Sequence, residues 1–283
     1  IHCLSGKMKT LCIVNPRNVS QVRPMQNFHQ GCQGDIQDIT WFENNKSEVL
    51  NYDVVVFQGI IRGSGHLMQF LEHHNKKYVY IDHAYFFPGY NPVSEWMRAS
   101  CNGFMPKSYR VRPRDRWQQY FSTIKPKAWR GPGEHILVLP PSTGVKWCWP
   151  ESALWLDKTV NTIKQYTARP IVIREKPDQL VFDPQGNILG KTPKSNTNLE
   201  ADMARAHCVV AYNSNSLTTA VLQGLTVIGS PVSPAYHISQ KFEDLENLTE
   251  PDTEAWLNYM AYNQFNTTEF KSGLAWQILQ QSL

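Results

Sequence analysis

The chain has 283 residues, 41% of them hydrophobic and 18% charged. That length suits two ordinary domains or one large one, and that composition excludes a disordered chain. No run of about 18 apolar residues occurs, so no membrane-spanning helix is expected. A net charge of +4 is too small to establish a nucleic-acid partner by itself.

Residues 1–7 lack the apolar core and cleavage pattern of a secretory signal, and Met8-Lys9 reads as a candidate native start behind a tag remnant. Residues 10–14 (TLCIV) read as a buried strand ending at Asn15-Pro16, residues 36–42 as a second strand, and residues 53–58 (DVVVFQ) as a third. The third runs through Gly59 into Gly63-Ser64-Gly65 and a helix over 66–74, after which 78–81 (YVYI) is a strand ending at Asp82-His83. Strand, glycine turn, helix and strand form a βαβ unit, so the sheet is expected to be parallel, with Asn15, Gly59 and Asp82 on one rim. Gly63-Ser64-Gly65 is not a full G-x-G-x-x-G and reads as a strand-to-helix turn. His73-His74 reads as a solvated helix end.

Residues 86–133 break this alternation and are rich in proline, aromatic and basic residues. Lys107, Arg110, Arg112, Arg114, Arg116, Lys125, Lys127 and Arg130 are opposed only by Asp115, and Tyr109, Trp117, Tyr120, Phe121 and Trp129 are interleaved with them. Basic side chains can follow a phosphate backbone, and aromatic ones can stack on displaced bases. The plainer reading is a solvated linker. The domain boundary is placed at its end, giving domains of 1–130 and 131–283.

A second α/β cycle follows. Strands are expected at 135–139, 170–173, 208–212 and 226–228, with helices over 150–166, 198–206 (capped by Asn198), 217–222, 253–262 and 267–281. Three of the strands end in polar residues: Ser142-Thr143-Gly144, Arg174-Glu175-Lys176 and Asn213-Ser214-Asn215-Ser216. In a parallel sheet those ends share a rim. A diphosphate needs fixed donors and a cation. Backbone N–H groups and hydroxyls at a helix start supply donors, Arg174 can form two parallel bonds to phosphate, and Lys176 adds a point charge. Helix capping alone is the alternative for residues 213–216. Trp147 and Trp149 follow the first loop, either as core residues or as a stacking surface.

The stretch from His207 to Val232 (HCVVAYNSNSLTTAVLQGLTVIGSPV) resembles the donor-site signature of GT-B glycosyltransferases: a strand, a Ser-rich turn, a helix, a glycine, and a short strand before proline. Many members carry a helix glutamate for the ribose. Here the helix reads Thr218-Thr219-Ala220, so the ribose contact is unassigned. The fragments YIDHAYF (80–86), RPIVIREKP (169–177) and AYNQF (261–265) resemble phage-encoded DNA-modifying glycosyltransferases.

The resemblance implies an α/β fold of two Rossmann-like domains facing a cleft, with the C-terminal helix packing back on the N-terminal domain. It implies a nucleotide-sugar co-substrate, UDP-glucose or similar, and no bound cofactor or essential metal. No Asp-x-Asp pair stands at a strand end. The expected acceptor is a hydroxymethylated pyrimidine in double-stranded DNA, and the alternative is a surface polysaccharide or plain nucleotide binding without catalysis. Donor contacts are expected from Ser142, Thr143, Gly144, Arg174, Lys176, Asn213, Ser214, Asn215, Ser216 and Thr218. DNA contacts are expected from Lys107, Arg110, Arg112, Arg114, Arg116 and Trp117. Asp82 is the first candidate for a general base, with a turn cap as its alternative role, and His83 is the second. Six scattered cysteines without a C-x-x-C pair point to a reducing compartment, the cytoplasm, which is the bacterial host's if the chain is phage-encoded.

Overall fold

The computed structural model describes residues 8–87, 95–194 and 197–283. Residues 1–7, read above as lacking a signal, lie outside the described residues. The chain divides into two compact units, one of Ile1–Pro106 with Asn263–Leu283 and one of Lys107–Tyr262.

The first unit opens with β1 (Thr10–Val14), α1 (Val19–Cys32), β2 (Asp35–Asp38), α2 (Ile39–Asn44) and α3 (Lys46–Val49). It continues with β3 (Val54–Gln58), α4 (Ser64–His73), β4 (Tyr78–His83) and β5 (Trp96–Cys101). β1, β3 and most of β4 are buried on both faces, which is why they read as near-continuous apolar runs. Alternate residues Cys12, Val54, Val56, Val79 and Ile81 share a core with Met25 and Phe28 of α1. On the other face α2 and α4 meet through the Phe42 and Phe70 rings, 5.5 Å apart. In the α1 core the Cys12 and Cys32 sulfurs lie 3.6 Å apart, and that contact with burial pushes the Cys12 thiol well up.

The expected strand over 36–42 stops at Asp38. The Asp38 carboxylate accepts from Trp41 N–H at 2.7 Å, and this cap converts the remainder into α2. The first sheet is also not wholly parallel. β1 to β4 are parallel, but β5, which falls in the stretch where the sequence breaks the strand–helix alternation, pairs antiparallel to β4.

The second unit begins with the basic segment and a π-helical turn at Trp117–Phe121, then β6 (His135–Leu139), α5 (Thr143–Cys148), a 3₁₀ turn (Pro150–Leu154) and α6 (Trp155–Tyr166). It continues through β7 (Ile171–Ile173), a hairpin of β8 (Leu180–Phe182) and β9 (Ile188–Lys191), α7 (Leu199–Ala204), β10 (Ala206–Ala211), α8 (Ser216–Leu222), β11 (Thr226–Gly229) and α9 (Thr253–Ala261). Its four-stranded sheet is parallel in the order β11-β10-β6-β7. Ile136, Val138, Cys208, Val210 and Ile228 form one core with Ile163 and Leu245. The helix expected over 150–166 starts as the 3₁₀ turn, and the 198–206 helix is α7, with the Asn198 side chain accepting from Glu200 N–H at 2.9 Å.

The chain then returns to the first unit as β12 (Gln264–Asn266), α10 (Thr267–Ser272) and α11 (Leu274–Leu279). β12 pairs antiparallel with β5, giving the order β12-β5-β4-β3-β1-β2. The helix expected over 267–281 is broken at Gly273, whose φ of 82° is a left-handed conformation. The break seats Phe270, Ala275 and Leu279 in the α1 core.

The α1–α10 contact is close enough to exclude a methyl group. A Cβ on Gly31 would fall 1.9 Å from the Phe270 carbonyl oxygen. Gly31→Ala is expected to lower stability by about 1–3 kcal/mol, the cost of forcing an atom into a filled core. Gly131→Ala, where nothing lies within 4 Å, should change it by less than about 0.5 kcal/mol. Chemical denaturation of the two variants checks this.

Candidate functional site

In chain order the strands of the second sheet lie second, first, third, fourth. The strand order therefore reverses between β6 and β10, and the crevice at such a reversal, outside the carboxyl ends, is where open α/β sheets take ligands. The loop after β6 carries Ser142, Thr143 and Gly144, and the loop after β10 carries Asn213, Ser214, Asn215 and Ser216. The register pairs Leu139 with Ala211, so both loops leave the sheet at one level, side by side. Parallel pairing thus puts all three polar strand ends on one rim, since β7 also pairs with β6, Ile173 opposite Val138. The third, after β7, stands one strand further out, at the sheet edge.

Ser142 caps α5, its hydroxyl accepting from Val145 N–H at 3.4 Å. Thr143 is engaged with the hairpin: its N–H donates to Gln179 Oε1 at 2.9 Å and its hydroxyl to the Leu180 carbonyl. Gly144 is buried. Arg174 is half-buried and bonded within the unit, Nη1 donating to Thr197 Oγ1 at 2.6 Å and to Asp202 Oδ2 at 2.7 Å, and Nη2 to the Thr197 carbonyl at 2.8 Å. Lys176 is exposed. The Ser214 hydroxyl accepts from Ser216 N–H at 3.1 Å, and Asn213 and Ser216 are half-buried. Asn215 Oδ1 and Thr218 Oγ1 are buried without a hydrogen-bond partner, and Thr218 is 1% exposed. α8 has only seven residues, so the polar groups of its loop matter more here than a helix dipole. Trp147 packs on Phe182 of the hairpin, ring centroids 5.9 Å apart.

The basic segment is absorbed into the second unit in part. Arg116 is 6% exposed, donates from Nε to the Ala261 carbonyl at 3.0 Å and stacks on Tyr120 and Tyr262. Arg112 lies 4.9 Å from the centre of the Tyr262 ring. Trp117 is buried against Phe121. Arg114 pairs with Glu254 at 3.1 Å on the surface, and Lys107 and Arg110 are exposed. The sequence offered no sign that Arg116 faces inward, because the carbonyl that accepts from it lies 145 positions downstream.

The first sheet repeats the second-first-third-fourth order over β1–β4, with its reversal between β1 and β3. There the buried Asn15 carboxamide donates to the Arg62 carbonyl at 3.1 Å and Ser64 Oγ at 2.9 Å, and accepts from Arg17 N–H at 3.1 Å. Gly63-Ser64 is accordingly the turn into α4. Beside it Arg17 grips Glu43 through two bonds of 2.7 Å.

Asp82 stands opposite Arg98 of β5. Its Oδ2 accepts from Tyr80 OH at 2.6 Å and Arg98 Nη2 at 3.1 Å, and its Oδ1 from His83 N–H at 2.8 Å. Burial opposes its ionisation, but Arg98, His83 and the Tyr80 hydroxyl together outweigh burial and hold the carboxyl below its usual value. Arg98 is 2% exposed, donates to the Phe104 carbonyl and lies over the Phe104, Tyr80 and Tyr85 rings. Sequence reasoning passed over Arg98. A lone cation in the run WMRASC was the available signal.

Among the described residues no group of three His, Cys, Asp or Glu is placed to hold a metal ion, and no helix is long and apolar enough to cross a membrane. No family model and no curated protein matches the chain. Among solved structures it is similar to Thermosulfurimonas dismutans KpsC, beta Kdo 2,4 transferase, at 10% identity with a TM-score of 0.47, over 98% of this chain and 100% of that one. It is also similar to KpsC, beta Kdo 2,7 transferase, of the same organism, at 10% identity with a TM-score of 0.45, over 95% and 99%. Likeness this loose carries nothing about substrate.

Removing one partner of a buried pair strands the other. Arg98→Met should cost about 3–5 kcal/mol, and Asp82→Asn with Arg98→Met should recover part of that loss. Because the folded carboxyl titrates below its unfolded value, the pair contributes stability above about pH 4 that is lost as pH falls through the folded value. Asp82→Asn should flatten that acid limb in pH-dependent denaturation.

Proposed function

We propose that this chain is a glycosyltransferase that holds a nucleotide-sugar at the reversal point of its second sheet. One observation carries the reading: two loops rich in hydroxyl and amide groups, after β6 and β10, leave adjacent central strands at the same level where the strand order reverses. Donor contacts fall to Ser142, Asn213, Ser214 and Ser216, with Lys176 as the cation. The unpartnered Thr218 hydroxyl and Asn215 carbonyl suit a ligand rich in hydroxyl groups. Thr143 and Arg174 already have protein partners, so they shape the loops rather than touch the diphosphate. Lys176 and the loop donors neutralise the leaving diphosphate without a required metal. Asp82, kept ionised by Arg98, is the first candidate to take the acceptor proton, with His83 the second.

The acceptor has two readings. A hydroxymethylated pyrimidine in DNA is supported by the exposed Lys107 and Arg110 and by the fragment resemblance above. A polysaccharide hydroxyl is favoured by the inward packing of Arg112, Arg116 and Trp117, which removes three of the six residues expected on a duplex.

Titration with UDP and turnover of UDP-glucose test the donor site. Asn213→Ala with Ser216→Ala should weaken UDP about tenfold or more, since each lost bond to a charged group is worth about 1.5–3 kcal/mol. EDTA should leave turnover unchanged. Asp82→Asn should abolish transfer while UDP still binds, and near-normal turnover would remove Asp82 from the mechanism. Incubation with hydroxymethylated duplex or with polysaccharide, read by mass of the digested products, separates the acceptors. Lack of UDP binding and of any donor cleavage would overturn the proposal.

A further inference from the structure

The β8–β9 hairpin touches the loop after β6, and Gln179 makes the contact at its base. Gln179 is 7% exposed. Its Oε1 accepts from Thr143 N–H at 2.9 Å, and its Nε2 donates to the Lys176 carbonyl. Its own N–H donates to Thr192 Oγ1 at 2.9 Å, and its carbonyl accepts from Thr192 N–H at 2.8 Å. A carboxamide has an acceptor at one corner and a donor at the other, so one side chain bridges an N–H on the first loop and a C=O on the second. The far end of the hairpin is docked as well. Gly186 lies so close to Trp147 of α5 that a Cβ there would fall 2.3 Å from the indole Cζ2.

We infer that Gln179 is a positioning residue for the donor site, which rests on the reading of that site given above. Ser142 and Lys176 belong to different loops, one after a central strand and one after an edge strand. The Gln179 amide links those loops directly. A loop that carries a hydroxyl and a loop that carries a cation, held together before binding, reduce the cost of ordering them around a ligand. Thr143, whose N–H and hydroxyl both face the hairpin, is the anchor of this link.

The test compares wild type, Gln179→Leu and Thr192→Val. Thr192→Val removes the hydroxyl bonded to the Gln179 N–H but leaves both arms of the carboxamide. Hydrogen exchange over residues 142–149 reports the Thr143 bond without any ligand, and UDP titration with UDP-glucose kinetics reports the site. Gln179→Leu is expected to speed exchange at Thr143, weaken UDP about tenfold and raise KM with kcat within about twofold, because lost positioning acts on donor binding. Thr192→Val should keep UDP affinity within about twofold. If Gln179→Leu does not fold, Gln179→Asn, which keeps the amide but shortens its reach, is expected to show the same KM effect. Faster exchange with unchanged UDP affinity would overturn the role of Gln179 alone, as would equal weakening by Thr192→Val. Absence of UDP binding to the wild type would overturn it together with the donor reading.

Discussion

A parallel sheet whose strand order reverses leaves its connecting helices on opposite faces, so the carboxyl ends at the reversal stay open to a ligand. Both units of this protein are built on that constraint, and they use it differently. In the first, the Asn15 carboxamide closes the reversal by bonding Arg62, Ser64 and Arg17. In the second, Asn215 Oδ1 and Thr218 Oγ1 are buried without partners. An unpaired buried polar atom costs about 1–3 kcal/mol, a cost that a ligand bringing its own hydroxyl groups would remove.

Charge follows a similar division of labour. Arg116 and Arg174 are cations that a sequence reader counts as candidates for anionic ligands, and each is instead bound within its own unit, Arg116 to a carbonyl and aromatic rings and Arg174 to Asp202 and Thr197, as is Arg98, which is bound to Asp82 and a carbonyl oxygen. A guanidinium can serve in this way because its planar fork meets several acceptors and a ring face at once. Arg98 also offsets the burial of the Asp82 carboxyl and helps hold it ionised.

Much of the fold was legible along the chain. The apolar runs of β1, β3, β6 and β10 announce strands because a strand covered on both faces needs apolar side chains on both, and Asn198 marks α7 because its side chain bonds within two residues. The same locality made the loops at 142–144 and 213–216 visible as polar strand ends. What escaped was of longer range or masked by composition. β5 lay hidden in a basic, aromatic stretch, and its other neighbour, β12, comes from the far end of the chain. Gln179 gave no signal at all, since nothing in its neighbours predicts a bond to Thr143, 36 residues away.

By itself, then, the sequence determined an α/β chain of buried strands, most of its helices, and the polar strand ends, because these depend on periodicity and on partners a few residues apart. Only the tertiary structure decided which of those ends stand side by side, that β5 and β12 run antiparallel, that Arg174 is bonded within its unit, and that Arg116 and Trp117 face inward. Strand order and the partner of each polar side chain are set by residues distant in the chain, whose burial competes with every other arrangement of the same segments.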